Sequence, residues 1–287
     1  MPLDQAKNLI MFLCSSVKTK WYFCLMCTIT FHLPAKTLKQ ALSDLPVIDV
    51  NISSFHFPPN AHRTAQGRYS GKAVETIRAF CAISNMKCKM LFYPTARAYM
   101  TIENGTDDVL MTANIQGFKS CCTYTQWSYP FTAGLITKLV KDDIPLTENA
   151  LKGHSLIIVR DWQSIYETYP NLKHLVSKGE VELIETSSIS TAIKAYRAGR
   201  APLLWGADVF KWYFEQMSME WNEDSFKPTV EISAGIWISK QSEHYEDILN
   251  RFNLAYQLLK EQGDLDKDNF LKPLLMDKVY VEAELPN

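Results

Sequence analysis

Cys88-Lys89-Met90-Leu91-Phe92-Tyr93, Pro94-Thr95-Ala96-Arg97-Ala98-Tyr99-Met100-Thr101-Ile102, Asn104-Gly105 and Asp108-Val109-Leu110-Met111 follow one another and decide how this chain folds. The first segment reads as a strand, Thr95 caps a helix running through Ile102, and Asn104-Gly105 stops it. The last segment is a second strand. Upstream, Val47-Ile48-Asp49-Val50-Asn51-Ile52 is a further strand ending at Phe57-Pro58-Pro59, and Gly67-Arg68-Tyr69-Ser70-Gly71 is a turn. Val74, Ile77, Arg78, Phe80 and Cys81 then recur at helical spacing. Two βα units in succession imply a parallel sheet with right-handed crossovers.

The rhythm restarts after Leu139-Val140-Lys141. Leu156 to Val159 reads as a strand, Ser164 to Val176 as a helix and Val181 to Ile184 as a strand. Ser190 to Ala198 is a helix ended by Gly199, and Leu203-Leu204-Trp205 is a strand. A last apolar run, Ile232 to Ile238, leads into a long amphipathic helix carrying Ile248, Phe252, Ala255, Leu258 and Leu259. The pattern predicts two α/β lobes joined by two crossing segments, near Ile136–Lys141 and Ser233–Ile238. Ligands of open α/β sheets bind beyond the carboxyl ends of strands, so the expected site is the cleft between lobes. The boundaries expected are 36–138 with 236–287 for the first lobe and 139–235 for the second.

Composition narrows the function classes. The chain has 287 residues, 47% hydrophobic and 21% charged, which excludes disorder for the bulk of it. Lys and Arg number 30 against 31 Asp and Glu, with no basic stripe, so nucleic acid is not an expected partner. No apolar run reaches the ~20 residues of a membrane span. Lys18 and Lys20 precede the uncharged segment Trp21 to Leu33, followed by Pro34-Ala35. That order reads as a secretory signal over residues 1–35, and hence a periplasmic protein; a buried helix or an uncleaved anchor is the alternative.

Of the seven cysteines, Cys14, Cys24 and Cys27 would leave with the signal. Cys81 and Cys88 flank a helix end and a strand start, which can bring their Cα atoms within the ~4.4–6.8 Å of a disulfide. Neighbouring Cys121 and Cys122 are expected not to pair with each other without strain, and to serve as small buried apolar groups.

From Val47 to Lys267 the chain resembles the extracellular solute-binding protein family 3, the amino-acid-type substrate receptors of ABC importers. The resemblance rests on Gly67-Arg68-Tyr69-Ser70-Gly71, on Pro94-Thr95-Ala96-Arg97-Ala98 with Gly105-Thr106-Asp107-Asp108, and on Trp127-Ser128-Tyr129-Pro130-Phe131. Leu151-Lys152-Gly153, Ala195-Tyr196-Arg197-Ala198-Gly199-Arg200-Ala201 and Glu261-Gln262-Gly263 add to it. It implies a two-lobed periplasmic-binding-protein type 2 fold. The basic-amino-acid branch of that family carries a cysteine pair where Cys81 and Cys88 stand.

The departures concern the ligand. The family's carboxylate-binding Arg would lie in Ile115-Gln116-Gly117-Phe118-Lys119-Ser120-Cys121-Cys122-Thr123, which contains none. Lys119 offers a charge without the guanidinium fork. The family's ligand-receiving Gly-Thr pair aligns with Asp161-Trp162, and its amine-binding Asp with Asp208. A standard α-amino-acid clamp is half missing, which leaves an unusual or larger solute open.

The expected ligand-binding set is Tyr69, Arg97, Thr112, Asn114, Trp162, Ser190 and Asp208. Each has a plainer reading. Tyr69 either stacks on ligand or packs on its own lobe. Arg97, at a helix start that disfavours cations, meets an acidic ligand or a salt bridge to Asp107 or Asp108. Asp208 accepts a ligand ammonium or caps the helix Val209–Met217. Thr112 and Asn114 follow a strand, and Ser190 opens a helix whose free amides attract anions. Trp162 and Trp205 suit a flat apolar solute, while Phe57 and Trp127 read as core.

Enzyme signatures are missing: no G-x-S-x-G, H-E-x-x-H, G-x-x-x-x-G-K-[ST] or G-x-G-x-x-G occurs. Asp264-Leu265-Asp266-Lys267-Asp268 starts like a calcium loop, but Asn269 replaces the required Gly. The expectation is therefore a monomeric periplasmic receptor for a small polar solute, serving an ABC permease, without cofactor or metal. A dehydratase-type lyase on the same fold and a ligand-sensing domain without a transporter are the alternatives.

Overall fold

Most strands of the sequence join one eight-stranded sheet in the computed structural model, while His62–Arg63 and Tyr69–Ser70 form a separate two-stranded pair. The structure describes residues 35–139, 145, 147–222, 225–273 and 275, within the compact unit Pro34–Asn287. The expected leader, residues 1–35, lies outside the described residues except for Ala35, where the first helix begins.

In chain order the elements are α1 (Ala35–Ser43), β1 (Ile48–Ser54), β2 (His62–Arg63), β3 (Tyr69–Ser70), α2 (Lys72–Ile83), β4 (Met86–Phe92), α3 (Thr95–Glu103) and β5 (Val109–Ala113). The long strand β6 (Cys122–Thr137) follows, then β7 (Ser155–Val159), α4 (Ser164–Thr168), α5 (Leu172–Ser177) and β8 (Glu182–Thr186). The chain continues with α6 (Ile189–Arg197), β9 (Leu203–Ala207), α7 (Phe210–Gln216), β10 (Phe226–Ser239) and α8 (Tyr245–Glu261).

The eight-stranded sheet has the order β4-β1-β5-β10-β6-β9-β7-β8. At one end β4, β1 and β5 are parallel, and at the other so are β8, β7 and β9. Between them β10 runs antiparallel to both β5 and β6, and β6 antiparallel to β9. The sheet is thus mixed rather than wholly parallel. The crossing segments are also longer than expected: β6 and β10 pair from Phe226↔Ile136 to Ser239↔Cys122. Two register shifts, between Pro228 and Val230 and between Gly235 and Trp237, kink that ribbon. Gly134 sits beside the first, where a Cβ would collide with the Lys227 carbonyl.

A continuous apolar core runs through both halves. In the first, Val50, Ile52, Ile77, Phe80, Phe252 and Leu259 are buried, and Phe80 meets Trp127 edge-on at 5.5 Å. Arg251 of α8 is 1% exposed and tied to Asp247, to the Pro46 carbonyl and to the Ser84 carbonyl. In the second half Leu156, Ile158, Ile193, Leu203 and Trp205 are buried. The helix expected from Ser164 to Val176 is broken into α4 and α5 at Tyr169-Pro170-Asn171, because proline cannot continue a helix.

Two disulfides are present among the described residues. Cys81–Cys88 joins α2 to β4 with a Cα separation of 6.1 Å. Cys121 and Cys122 are also bonded to each other, which corrects the expectation of two free thiols. Neighbouring residues close this small ring where the chain enters β6, with Cys122 buried. Among the described residues no helix is long and apolar enough to cross a membrane.

Candidate functional site

The carboxyl ends of β1 and β5 point at the amino-terminal turn of α4, and a cavity of about 50 Å³ lies between them. From the first half it is walled by Ser54, Phe55, Phe57, Tyr99, Met111, Thr112, Ala113 and Ile115. Trp162, Gln163, Ser164 and Glu167 face them from the second half, while Tyr129, Phe131, Ile232 and Ala234 of the crossing strands form the floor. This is where an open α/β sheet is expected to take a ligand. An outer recess of about 320 Å³ adjoins it, sharing Tyr99, Ile115, Gln163 and Glu167 and adding Glu103, Gly117, Phe118 and Tyr166.

Aromatic rings hold the two halves together around the cavity. Phe57 lies 6.0 Å from Trp162 and 5.4 Å from Phe131, centroid to centroid. Trp162 packs in turn on Phe210 at 5.6 Å. Further out, His56 meets Tyr213 and His62 meets Trp212, each at 6.0 Å. Beside the cavity, the Gln116 amide donates to the Glu167 carboxylate at 3.4 Å, joining the two halves.

The polar atoms of the site are few. Thr112 is 4% exposed and its Oγ1 has no hydrogen-bond partner. Burial pushes the Tyr99 hydroxyl up to about 12, and the nearby Asp161 and Glu167 charges add to the rise. The Thr112 hydroxyl offsets part of it without reaching Tyr99 at normal hydrogen-bond geometry. Ser164 Oγ is occupied by the Trp205 indole N–H at 3.1 Å. Among the described residues, no cluster of His, Cys, Asp and Glu could hold a metal.

Of the seven residues expected in the site, Thr112 and Trp162 line the cavity. Tyr69 is stacked flat on Phe92 at 4.3 Å, and its hydroxyl accepts a hydrogen bond from Arg63. Arg97 lies over the Tyr93 ring at 4.9 Å. Asn114 is exposed past β5, its amide donating to the Ser233 carbonyl. Ser190 is the second residue of α6, not its opening; Ser188 is the N-cap, accepting from the Thr191 amide. Asp208 receives the Thr132 and Val209 amides. It keeps solvent access, yet the protein around it raises its carboxyl above the ordinary value, with those two amides opposing the rise. Asp208 thus joins β6 to the start of α7.

Sequence reasoning missed Phe55, Phe57, Tyr99 and Glu167. Phe57 was assigned to core, and it is buried at 9% while also lining the cavity. The available signal was its position just past the carboxyl end of β1. Trp205 and Trp127, fully buried, are core.

No protein-family model matches the sequence, and no curated protein matches it either. Solved structures do. A histidine kinase sensor domain with similarity to periplasmic binding proteins superposes with a TM-score of 0.63 at 14% identity, covering 82% of this chain and 95% of that one. A substrate-binding protein of an ABC uptake transporter from Streptococcus pneumoniae, with bound histidine, gives 0.62 at 14% identity over 83% and 98%. An ancestral amino-acid-binding protein, a precursor of cyclohexadienyl dehydratase, gives 0.61 at 13% identity over 86% and 98%. Identities this low speak for architecture alone. The chain has the two-lobed α/β fold of the periplasmic binding proteins, with β6 and β10 crossing between the lobes.

Proposed function

We propose that this protein is a periplasmic solute-binding protein that captures one small solute between its two lobes. The observation that carries the reading is the cavity walled at once by Phe57 and Thr112 of one lobe and Trp162 and Gln163 of the other. A ligand touching only one lobe leaves the balance of open and closed forms unchanged, whereas one touching both favours closure. Division at 36–138 with 236–287, and 139–235, puts the β6–β10 ribbon at the hinge. Delivery to an ABC permease by a monomeric receptor is the role we assign. The histidine-binding uptake protein on this fold supports it.

The sensor domain on the same fold supports a second reading, in which closure is read by a signalling partner. A permease and ATPase gene pair beside this gene favours import; its absence together with a fused or adjacent kinase favours sensing. The direct test is a thermal-shift screen of residues 36–287 against amino acids, polyamines, organic acids and small organic amines. A ligand at 100-fold its dissociation constant adds ~2.7 kcal/mol to the folded state. Small-angle scattering then checks that the radius of gyration falls or stays closed on saturation. A screen without any hit, repeated at millimolar solute, would overturn the binding reading.

A further inference from the structure

The cavity and its outer recess carry charge of one sign only. No Lys, Arg or His is among the residues lining either, while Glu103 and Glu167 stand in the recess and Glu167 reaches the cavity as well. Asp161 lies close enough to act on Tyr99 together with Glu167. The inner walls are aromatic: Phe55, Phe57, Tyr99 and Trp162 present ring surface around a space with room for about three to five water-sized groups. Ring faces and carboxylates both attract cations, and rings do so most when water is excluded. A carboxylate entering here would leave its hydration for a site without a donor cation, against Glu167.

Thr112 supplies the second, independent observation. Its hydroxyl is buried, lines the cavity and has no partner. A buried hydroxyl left unpaired costs stability, so it marks the place where a ligand N–H or O–H would sit.

We infer that the solute is a compact organic ammonium without a carboxylate. Its alkyl groups pack on Phe57 and Trp162, one N–H points to Thr112 Oγ1, and its charge is balanced by Glu167. This deepens the solute-binding reading and rests on it. The outer recess has room for a longer polar tail.

The experiment compares three probes by calorimetric titration and thermal shift: N,N-dimethylethanolamine, protonated at neutral pH; its uncharged carbon isostere 3-methyl-1-butanol; and glutamine. The expected result is binding of the amine with at least tenfold preference over the alcohol and no response to glutamine. Glu167→Gln, at an exposed position that leaves the fold intact, should weaken the amine about three- to tenfold and flatten its salt dependence. Thr112→Val should weaken it without changing the salt dependence. Equal binding of amine and alcohol, or amine binding indifferent to Glu167→Gln, would overturn the ammonium assignment. Binding of glutamine without the amine would overturn it while leaving the solute-binding reading in place. Silence toward all three overturns the ammonium assignment, and the broad screen then decides the solute-binding reading separately.

Discussion

Phe57, on the loop after β1, meets Trp162, on the turn after β7, with ring centroids 6.0 Å apart. The two residues belong to different lobes and both are 9% exposed. Each ring supplies a contact to the other across the cavity. The contact is therefore a local measure of closure.

A double-mutant cycle on Phe57→Leu and Trp162→Leu, followed by urea unfolding, should give a coupling of about 0.5–1.5 kcal/mol, the range for buried aromatic pairs. Saturating ligand should enlarge it, since ligand favours the closed form in which the rings meet. A coupling near zero would mean that the lobes part freely in solution.

Arg251→Met should destabilise the protein by about 3 kcal/mol in chemical denaturation. The Arg251 side chain is 2% exposed; its guanidinium binds Asp247 in a fork and also donates to the Pro46 and Ser84 carbonyls. Removing it leaves those carbonyls unpaired. Asp247 is 43% exposed and keeps its hydration, which holds the loss toward the lower part of the range for broken buried pairs. Ligand affinity should not change, because this contact lies away from the cavity.

Thiol titration of the denatured, oxidised protein spanning residues 36–287 should find no free cysteine, and reduction should release those at 81, 88, 121 and 122. Replacing Cys81 and Cys88 by Ser should cost about 2–3 kcal/mol, because their sequence separation of 7 closes a real loop. The same change at Cys121 and Cys122 should cost much less, since bonding adjacent residues removes little chain entropy. Equal losses would point to a packing role for the second pair.

His56 should make stability fall as pH drops below the ordinary histidine value. Burial lowers its pKa, and the nearby His62 lowers it further. The unfolded chain then takes up a proton near pH 6.5 that the folded chain refuses until lower pH, so unfolding is favoured across that window. His56→Gln should flatten the dependence of Tm on pH between 7 and 5. The slope should be shallow, because His56 keeps solvent access. A slope unchanged by the substitution would assign the effect to other groups.

The fold was legible wherever one strand or helix declares itself by local pattern. Ile52, Ile77, Ala98, Val109, Leu156 and Ile248 all lie buried in the kinds of element their spacing predicts. What local pattern could not supply was the long pairing of β6 with β10. Tyr124 and Ser128 interrupt the apolar run of β6, and their partners Trp237 and Gly235 lie roughly a hundred residues further along the chain. The site was legible only in part for a related reason. Thr112 lies near the carboxyl end of β5 and Trp162 just past β7, the strand ends where topology puts a cleft, and both line the cavity. Tyr69, Arg97 and Asp208 stand out by residue type, and each has a partner nearer than the cavity: Phe92, Tyr93 and the Thr132 amide. A polar or aromatic side chain already satisfied by such a neighbour gives up nothing by staying there.

The β6–β10 ribbon also ties the two lobes together during synthesis. β5 pairs with β1 on one edge, but its other edge is completed by Ala234 to Ile238 of β10. β6 likewise waits on Leu203 to Ala207 of β9, made roughly seventy residues later, because its pairing is non-local. Half of the first lobe therefore stands with an unpaired strand until nearly the whole second lobe has left the ribosome. An open apolar edge of that kind invites pairing with a neighbouring chain. Severing the chain between the lobes would yield two fragments, each short of a strand.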